Sequence, residues 1–215
     1  MMKEHNKLAE HIEAYNSSLT EEQIEFTQNI LQNGGVIIYP TDTIYGLGCD
    51  ITNTNAINRV LSIKGRDAKK PMSFVCADLL HIKDYARLST NSEKILEEFL
   101  PGAYTFVLPA SRQAPKELIT EQETVGLRIP DHRIPLQIVK ALKKPLLSTS
   151  ANFSGEDVLN NPKELQEYMG DKVDLILTDG EIIAQPSSVI SLIHAEPTVL
   201  RNGKGDVTRF KNLSS

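Results

Sequence analysis

A chain of 215 residues with 40% hydrophobic and 24% charged content has the composition of a globular protein that buries its core without disulfide or metal staples. Its formal net charge of −5 argues against a protein dedicated to gripping nucleic acid nonspecifically, while leaving room for a local basic patch. No apolar run approaches the roughly 20 residues that span a bilayer. The opening MMKEHNKLAEHIEAYN also lacks the apolar centre of a signal peptide, so a cytoplasmic location without membrane attachment is expected.

Residues 1–18 read as a polar helical extension. Thr20 and Gln23 then have capping-box spacing, Ile24 and Phe26 begin an apolar face and Gly34 supplies a stop, which predicts a helix. VIIY (36–39) is a short apolar strand ended by Pro40. Asn53 or Thr54 caps a helix running through Val60 and Leu61, and MSFVC (72–76) is the next strand. Further helices are expected near 91–100, 133–142 and 162–169, with strands at 104–109, 124–129, 145–149, 173–177, 187–193 and 197–201. Cys49 and Cys76 have no metal-ligand spacing and read as buried free thiols. Helices and strands intermingle without a repeat or linker, so one α/β domain is expected, with a twisted mixed sheet whose strand order the pattern leaves open.

Four segments gather small, hydroxylic and basic residues beside predicted strand ends, where a ligand can be approached closely. In GGVIIYPTDTIYGLGCD (34–50), Thr41, Asp42, Thr43 and Tyr45 follow a buried strand, and Gly46 and Gly48 permit close backbone approach. This is either a pocket wall or a turn whose Asp42 and threonines satisfy local backbone groups. KGRDAKKP (64–71) carries Lys64, Arg66, Lys69 and Lys70, enough charge for a polyphosphate, although a solvated loop closing a helix has the same composition. In PLLSTSANFSGE (145–156) an apolar strand runs into Ser148, Thr149, Ser150, Asn152, Ser154 and Gly155, a hydroxyl-rich phosphate or nucleotide cradle without a Walker sequence. TVGLRIP (124–130) ends near Arg128, suited to a carboxylate or to a surface ion pair, and QPSSVISLIHAEPTVLRNGKGD (185–206) adds Ser187, Ser188 and Arg201. Five histidines form no HExxH or Cys/His cluster, so no metal ligand is nominated. No GxSxG elbow is present, and no GxGxxG opens a helix.

Taken in order, PTDTIYGLGCD, KGR…KKP, LPGAYTFVLPA, TVGLRIP, STSANFSGE and PSSVISL…VLRNGKGD resemble the YrdC-like threonylcarbamoyl-adenylate synthase family, over about Thr20 to Asp206. The resemblance implies an α/β (α+β) domain over 19–206: a single twisted mixed β-sheet packed with helices around a large concave basic cavity. Residues 1–18 are then an N-terminal helical extension and 207–215 a C-terminal tail. It further implies a nucleotidyltransferase that forms threonylcarbamoyl-AMP and pyrophosphate from L-threonine, bicarbonate or CO2, and ATP, for t6A37 modification of tRNA. Mg2+ would accompany ATP, and downstream tRNA-modifying proteins would be partners.

By position in the matching motifs, the catalytic KxR element is Lys64 and Arg66, and the SxN element is Ser150 and Asn152. The threonine side of the pocket is Thr43, Arg128, Ser148 and Ser187; the ATP side is Arg66, Lys70, Thr124, Ser150 and Arg201. PMSFVCADL carries Val75 where synthases often carry a histidine, and with LPGAYTFVLPA it leans toward the YciO-like branch. A paralogue acting on, or hydrolysing, another carbamoyl-adenylate is therefore the second reading. A module holding double-stranded RNA or tRNA by shape and phosphate contacts is the third.

Overall fold

The computed structural model describes residues 8–65 and 72–212. In chain order its first half contains β1 (Glu10–Glu13), α1 (Glu21–Gln32), β2 (Ile37–Tyr39), β3 (Gly46–Asp50), α2 (Thr54–Lys64), β4 (Ser73–Val75), α3 (Leu79–Tyr85), α4 (Thr90–Phe99) and β5 (Tyr104–Pro109). After a single 3-10 turn come β6 (Thr124–Arg128), α5 (Arg133–Leu142), β7 (Leu146–Ser150), α6 (Pro162–Met169), β8 (Leu175–Thr178), β9 (Ser188–Ser191), β10 (Thr198–Arg201) and α7 (Thr208–Asn212). The strands form one mixed sheet in the order β1-β8-β2-β3-β7-β4-β6-β5-β9-β10, the α/β architecture expected.

Local chemistry sets the ends of these helices. Thr20 Oγ1 accepts from the Gln23 amide while Gln23 Oε1 accepts from the Thr20 amide, a reciprocal cap that stabilises α1 by about 1 kcal/mol. At α2 a single bond makes the cap, Asn53 Oδ1 accepting from the Ala56 amide, and Gly65 closes the helix in the left-handed conformation at φ 57°. Within α1, however, Phe26 is 42% exposed, so the apolar face begins at Ile24 and continues through Thr27, Ile30 and Leu31.

Three expectations are corrected. Residues 10–13 are a strand, not part of a helix: they pair in parallel with Leu175–Thr178, completing the open edge of β8. His11 Nε2 sits 3.0 Å from Thr178 Oγ1, and only Ile12 of this strand packs on the core, which is why its sequence carries no apolar alternation. Residues 1–7 lie outside the described residues. GLGCD, for which no strand was expected, is one: β3. The segment after 206 is not merely a tail, because α7 buries Phe210 among Phe99, Tyr104 and Phe106.

The two faces of the sheet differ, and the difference places the site. Side chains alternate across a strand, so one face collects Val36, Ile38, Leu47, Cys49, Phe74, Phe106, Leu108, Val125, Leu127, Leu147, Ile176 and Ile190 into the larger apolar core. The opposite face has two halves. Around β8 and β2 it presents Ile37, Tyr39, Leu175 and Leu177 to Leu31 of α1 and to Ile134, Ile138, Val139 and Leu142 of α5. Beyond β2 the same face turns polar and small, and there the cavity opens.

Candidate active site

Cross-strand register builds the floor. Ser148 of β7 stands opposite Gly48 on one side and Ser73 on the other; Ser73 faces Gly126, and Gly126 faces Val107. Thr105 is paired with Val189 of β9, and Ser150 with Gly46. Thr124, Gly126 and Arg128 are two residues apart on β6 and therefore share this face. These strands enclose a cavity of about 830 Å³, whose lining includes Thr105, Thr124, Arg128, Ser148, Ser150, Ser187 and Arg201. Its charged lining among the described residues is Arg128, Arg201 and Glu121.

The glycines of β3 have a specific structural task. A Cβ at Gly48 would meet the Leu147 carbonyl oxygen at 2.3 Å and the Tyr39 ring at 3.0 Å, and one at Gly46 would meet the same ring at 2.9 Å. The bare backbone thus seats Tyr39, whose hydroxyl donates to Ser148 Oγ at 2.7 Å and fixes that hydroxyl in the floor. Burial pushes the Tyr39 phenol up to about 12, so it remains a neutral donor. The close approach anticipated at these glycines is made first by tyrosine.

Two guanidinium groups line the cavity, and their surroundings differ. Arg128 Nη2 donates to Asp42 Oδ1 at 2.6 Å and to Thr43 Oγ1 at 3.2 Å, with both charged side chains more than nine-tenths buried. Arg128 Nε and Asp42 Oδ2 are buried without hydrogen-bond partners. Thr43 is itself held by Thr41, whose hydroxyl lies 3.0 Å from that of Thr43 and donates to the Ile44 carbonyl. Arg201 instead donates through Nε to the Ser187 carbonyl at 2.9 Å and through Nη2 to Ser187 Oγ at 3.1 Å. Thr105 Oγ1 lies 2.9 Å from the same Ser187 hydroxyl. Burial, then repulsion from Arg128, lowers the Arg201 pKa, so the two cations feel one another across the cavity.

The SxN turn lies at one end of the floor. Lys64, buried at the last position of α2, donates through Nζ to the Ser150 carbonyl at 2.8 Å, the Asn152 carbonyl at 2.5 Å and Asn152 Oδ1 at 2.6 Å. Ser150 Oγ donates to Asn152 Oδ1 at 2.6 Å, and Asn152 Nδ2 donates to the Glu156 carbonyl. The ammonium therefore organises the turn from beneath, and Ser150 is the member of this cluster that lines the cavity. Arg66 and Lys70, expected on the ATP side, lie outside the described residues, as does Lys69.

Of the remaining expected residues, Arg128, Ser148 and Ser187, expected for threonine, and Thr124, Ser150 and Arg201, expected for ATP, all line this one cavity. Thr43 is fully buried and acts on Arg128 rather than lining the wall. Asp42, Tyr39 and Thr105 complete the site without having been singled out as site residues. The readable signal for Thr105 was its two-residue spacing from Val107, which repeats the Thr124–Gly126–Arg128 pattern of the neighbouring strand. Asp42's long-range partner left no local trace. Among the described residues no group of three His, Cys, Asp or Glu side chains could hold a metal ion, and no helix is long and apolar enough to cross a membrane.

With this geometry in hand, the likeness to known proteins becomes informative. The family profile described as "Telomere recombination", that of Sua5, YciO and YrdC, matches residues 29–203. The chain is 34% identical to Escherichia coli YciO over 183 residues, covering 84% of this chain and 89% of that one. The crystal structure of E. coli YciO superimposes with a TM-score of 0.89 at 31% identity, covering 94% of this chain and all of the other. It is also 37% identical to the threonylcarbamoyl-AMP synthase of Vibrio vulnificus over 155 residues, 71% of this chain and 83% of that protein. Pyrococcus abyssi Sua5, solved in complex with L-threonine, superimposes with a TM-score of 0.87 at 27% identity, covering 96% of this chain and 61% of that longer one. The chain belongs to the Sua5/YciO/YrdC family.

Proposed function

We propose that this protein condenses L-threonine, CO2 or bicarbonate, and ATP into threonylcarbamoyl-adenylate and pyrophosphate, for the modification of adenosine in tRNA. The observation that carries the proposal is one cavity lined by two arginines, Arg128 buried and Arg201 more exposed, together with serine and threonine hydroxyls. That arrangement suits two anionic substrates brought end to end. The fold shared with a threonine-bound Sua5 supports the choice of amino acid.

In this reading Arg128 receives the threonine carboxylate, while Ser148 and Ser187 offer hydroxyls to the rest of the molecule and Thr43 fixes Arg128. The threonine amine, once deprotonated, adds to CO2 to give a carbamate. A carbamate oxygen then attacks the α-phosphorus of ATP as the bond to the β-phosphate bridging oxygen breaks and pyrophosphate departs. Positioning and charge stabilisation are the protein's contribution, and no covalent nucleophile is required. Arg201, Thr124 and Ser150, which line the same cavity, are assigned to the nucleotide, and Arg66 and Lys70 to its phosphates. Among the described residues no donor set forms a metal cage, and Mg2+ in this reading would accompany ATP as its complex.

The test is pyrophosphate release with ATP, Mg2+, bicarbonate and threonine. Release that depends on threonine and falls about 10²–10³-fold in Arg66→Ala is expected. Equal release without threonine would overturn the proposal. One observation favours the paralogue reading: Val75 is the register partner of Arg128, placing an apolar side chain on the same face beside the carboxylate receptor. Preference for another amino acid in the same assay would select it.

A further inference from the structure

The two arginines of the cavity are not electrically equivalent. Arg128 carries a buried counter-charge, because Asp42 Oδ1 lies 2.6 Å from its Nη2 and both side chains are shielded from water. Arg201 has only the neutral carbonyl and hydroxyl of Ser187 as partners among the described residues. Of the two cavity arginines, Arg128 is therefore locally compensated by a buried carboxylate, while the hydrogen-bond partners of Arg201 carry no charge.

Asp42 is fixed at both ends. Its carboxylate is held by Arg128, and its backbone carbonyl accepts from Lys204 Nζ, which reaches over from the loop after β10. Lys204 is solvent-accessible, so water and salt screen its charge, whereas the pair below it is not screened in this way. His132 is a further titratable group coupled electrostatically to Asp42. Burial lowers its pKa, so near neutral pH it adds no charge. Arg128 lines the cavity, and its Nη1 makes no hydrogen bond among the described residues.

We propose that Asp42 is a specificity-determining residue: its buried charge tunes the Arg128 end of the cavity to accept a carboxylate that carries a neighbouring ammonium, and to discriminate against a carboxylate alone. The proposal rests on the reading of the cavity as an amino-acid site. A zwitterion matches a guanidinium backed by a carboxylate, whereas a bare anion gains from Arg128 and is repelled by Asp42. In a poorly hydrated cavity a single charge a few ångströms behind the receptor changes such a preference by about ten-fold or more. Asp42 acts through Arg128 and through its field, without touching the reacting atoms.

Calorimetric binding of L-threonine and of (R)-3-hydroxybutyrate, which is threonine without its amino group, tests this without turnover. Wild type is expected to bind threonine at least about ten-fold more tightly. Asp42→Asn and Asp42→Ser, each checked for folding by thermal melting, should narrow that ratio to within about three-fold, chiefly by improving the deaminated ligand, with ATP binding little changed. Two results would overturn the proposal: equal affinities in wild type, or an unchanged ratio in a folded neutral variant. Wild type binding neither ligand would overturn both this proposal and the amino-acid reading, whereas threonine binding with an unaltered ratio in the variants removes Asp42's role alone.

Discussion

Lys64 shows how a residue type can be read correctly and its work misjudged. A lysine in a basic segment suggests phosphate binding, yet its ammonium is committed to two carbonyls and an amide oxygen of the SxN turn. Lys64→Met would leave those buried acceptors without this donor, at roughly 1–3 kcal/mol for each that finds no replacement. A fall in denaturation midpoint together with lost activity is the expected result; an unchanged midpoint with only a raised KM for ATP would restore a direct phosphate role. Arginine should not rescue, since a planar fork does not replace a compact ammonium there. The cysteines make a second case. Burial pushes the Cys49 thiol from 9.0 up to about 12 and raises Cys76 as well. Both should resist a thiol reagent at pH 8 until the protein unfolds. Because the folded thiol titrates above its ordinary value, its contribution to stability is full below about pH 9 and is lost as pH climbs toward 12. His132 has the opposite sign: burial lowers its pKa while its Nδ1 caps α5 and its Nε2 faces Asp179 at 3.4 Å. Its contribution is present above the ordinary value of 6.5 and is lost as pH falls below it. His132→Asn, which keeps a capping acceptor, should flatten melting temperature against pH below 6.5.

At the scale of elements, what the sequence revealed and what it concealed divide along physical lines. Capped helices were legible because their signals are local: Thr20 with Gln23, and Asn53 ahead of α2, each fix a boundary within one turn. Strands β5 to β9 were legible as apolar runs. β3 was not, since its two glycines imitate a turn and their reason lies in the Tyr39 ring packed against them from β2. β1 was not legible either, because its partner β8 lies more than 160 residues along the chain and its polar sequence fits an exposed edge. The site divides in the same way. Arg128, Ser148, Ser150 and Ser187 announce themselves by type and position, whereas the Asp42–Arg128 pair exists only after β2 and β6 have been brought together by the sheet. Gly48→Ala tests the account of β3. A Cβ 2.3 Å from a backbone oxygen cannot be relieved by a side-chain rotation, so a loss of about 2 kcal/mol or more is expected in chemical denaturation, with the Tyr39–Ser148 contact disturbed. Stability equal to wild type would contradict the proposed seat.

For the molecule as a whole, one sheet performs two tasks on opposite faces. The fully apolar face carries most of the packing, and the other is divided between a helix-covered half and an open polar half. The cavity floor consequently sits on strands rather than on mobile loops, which favours the fixed geometry that bringing two anions together demands. Family membership follows from the matching profile and relatives, while the division of labour within the cavity is the claim still to be tested. The most direct measurement is equilibrium binding of L-threonine and of ATP to Arg128→Ala and Arg201→Ala. Loss of one charge-assisted contact should weaken the matching ligand by about ten-fold or more. The account predicts that Arg128→Ala loses threonine while ATP stays within about three-fold, and that Arg201→Ala does the reverse. Equal losses of both ligands in both variants, or the opposite pairing, would contradict it.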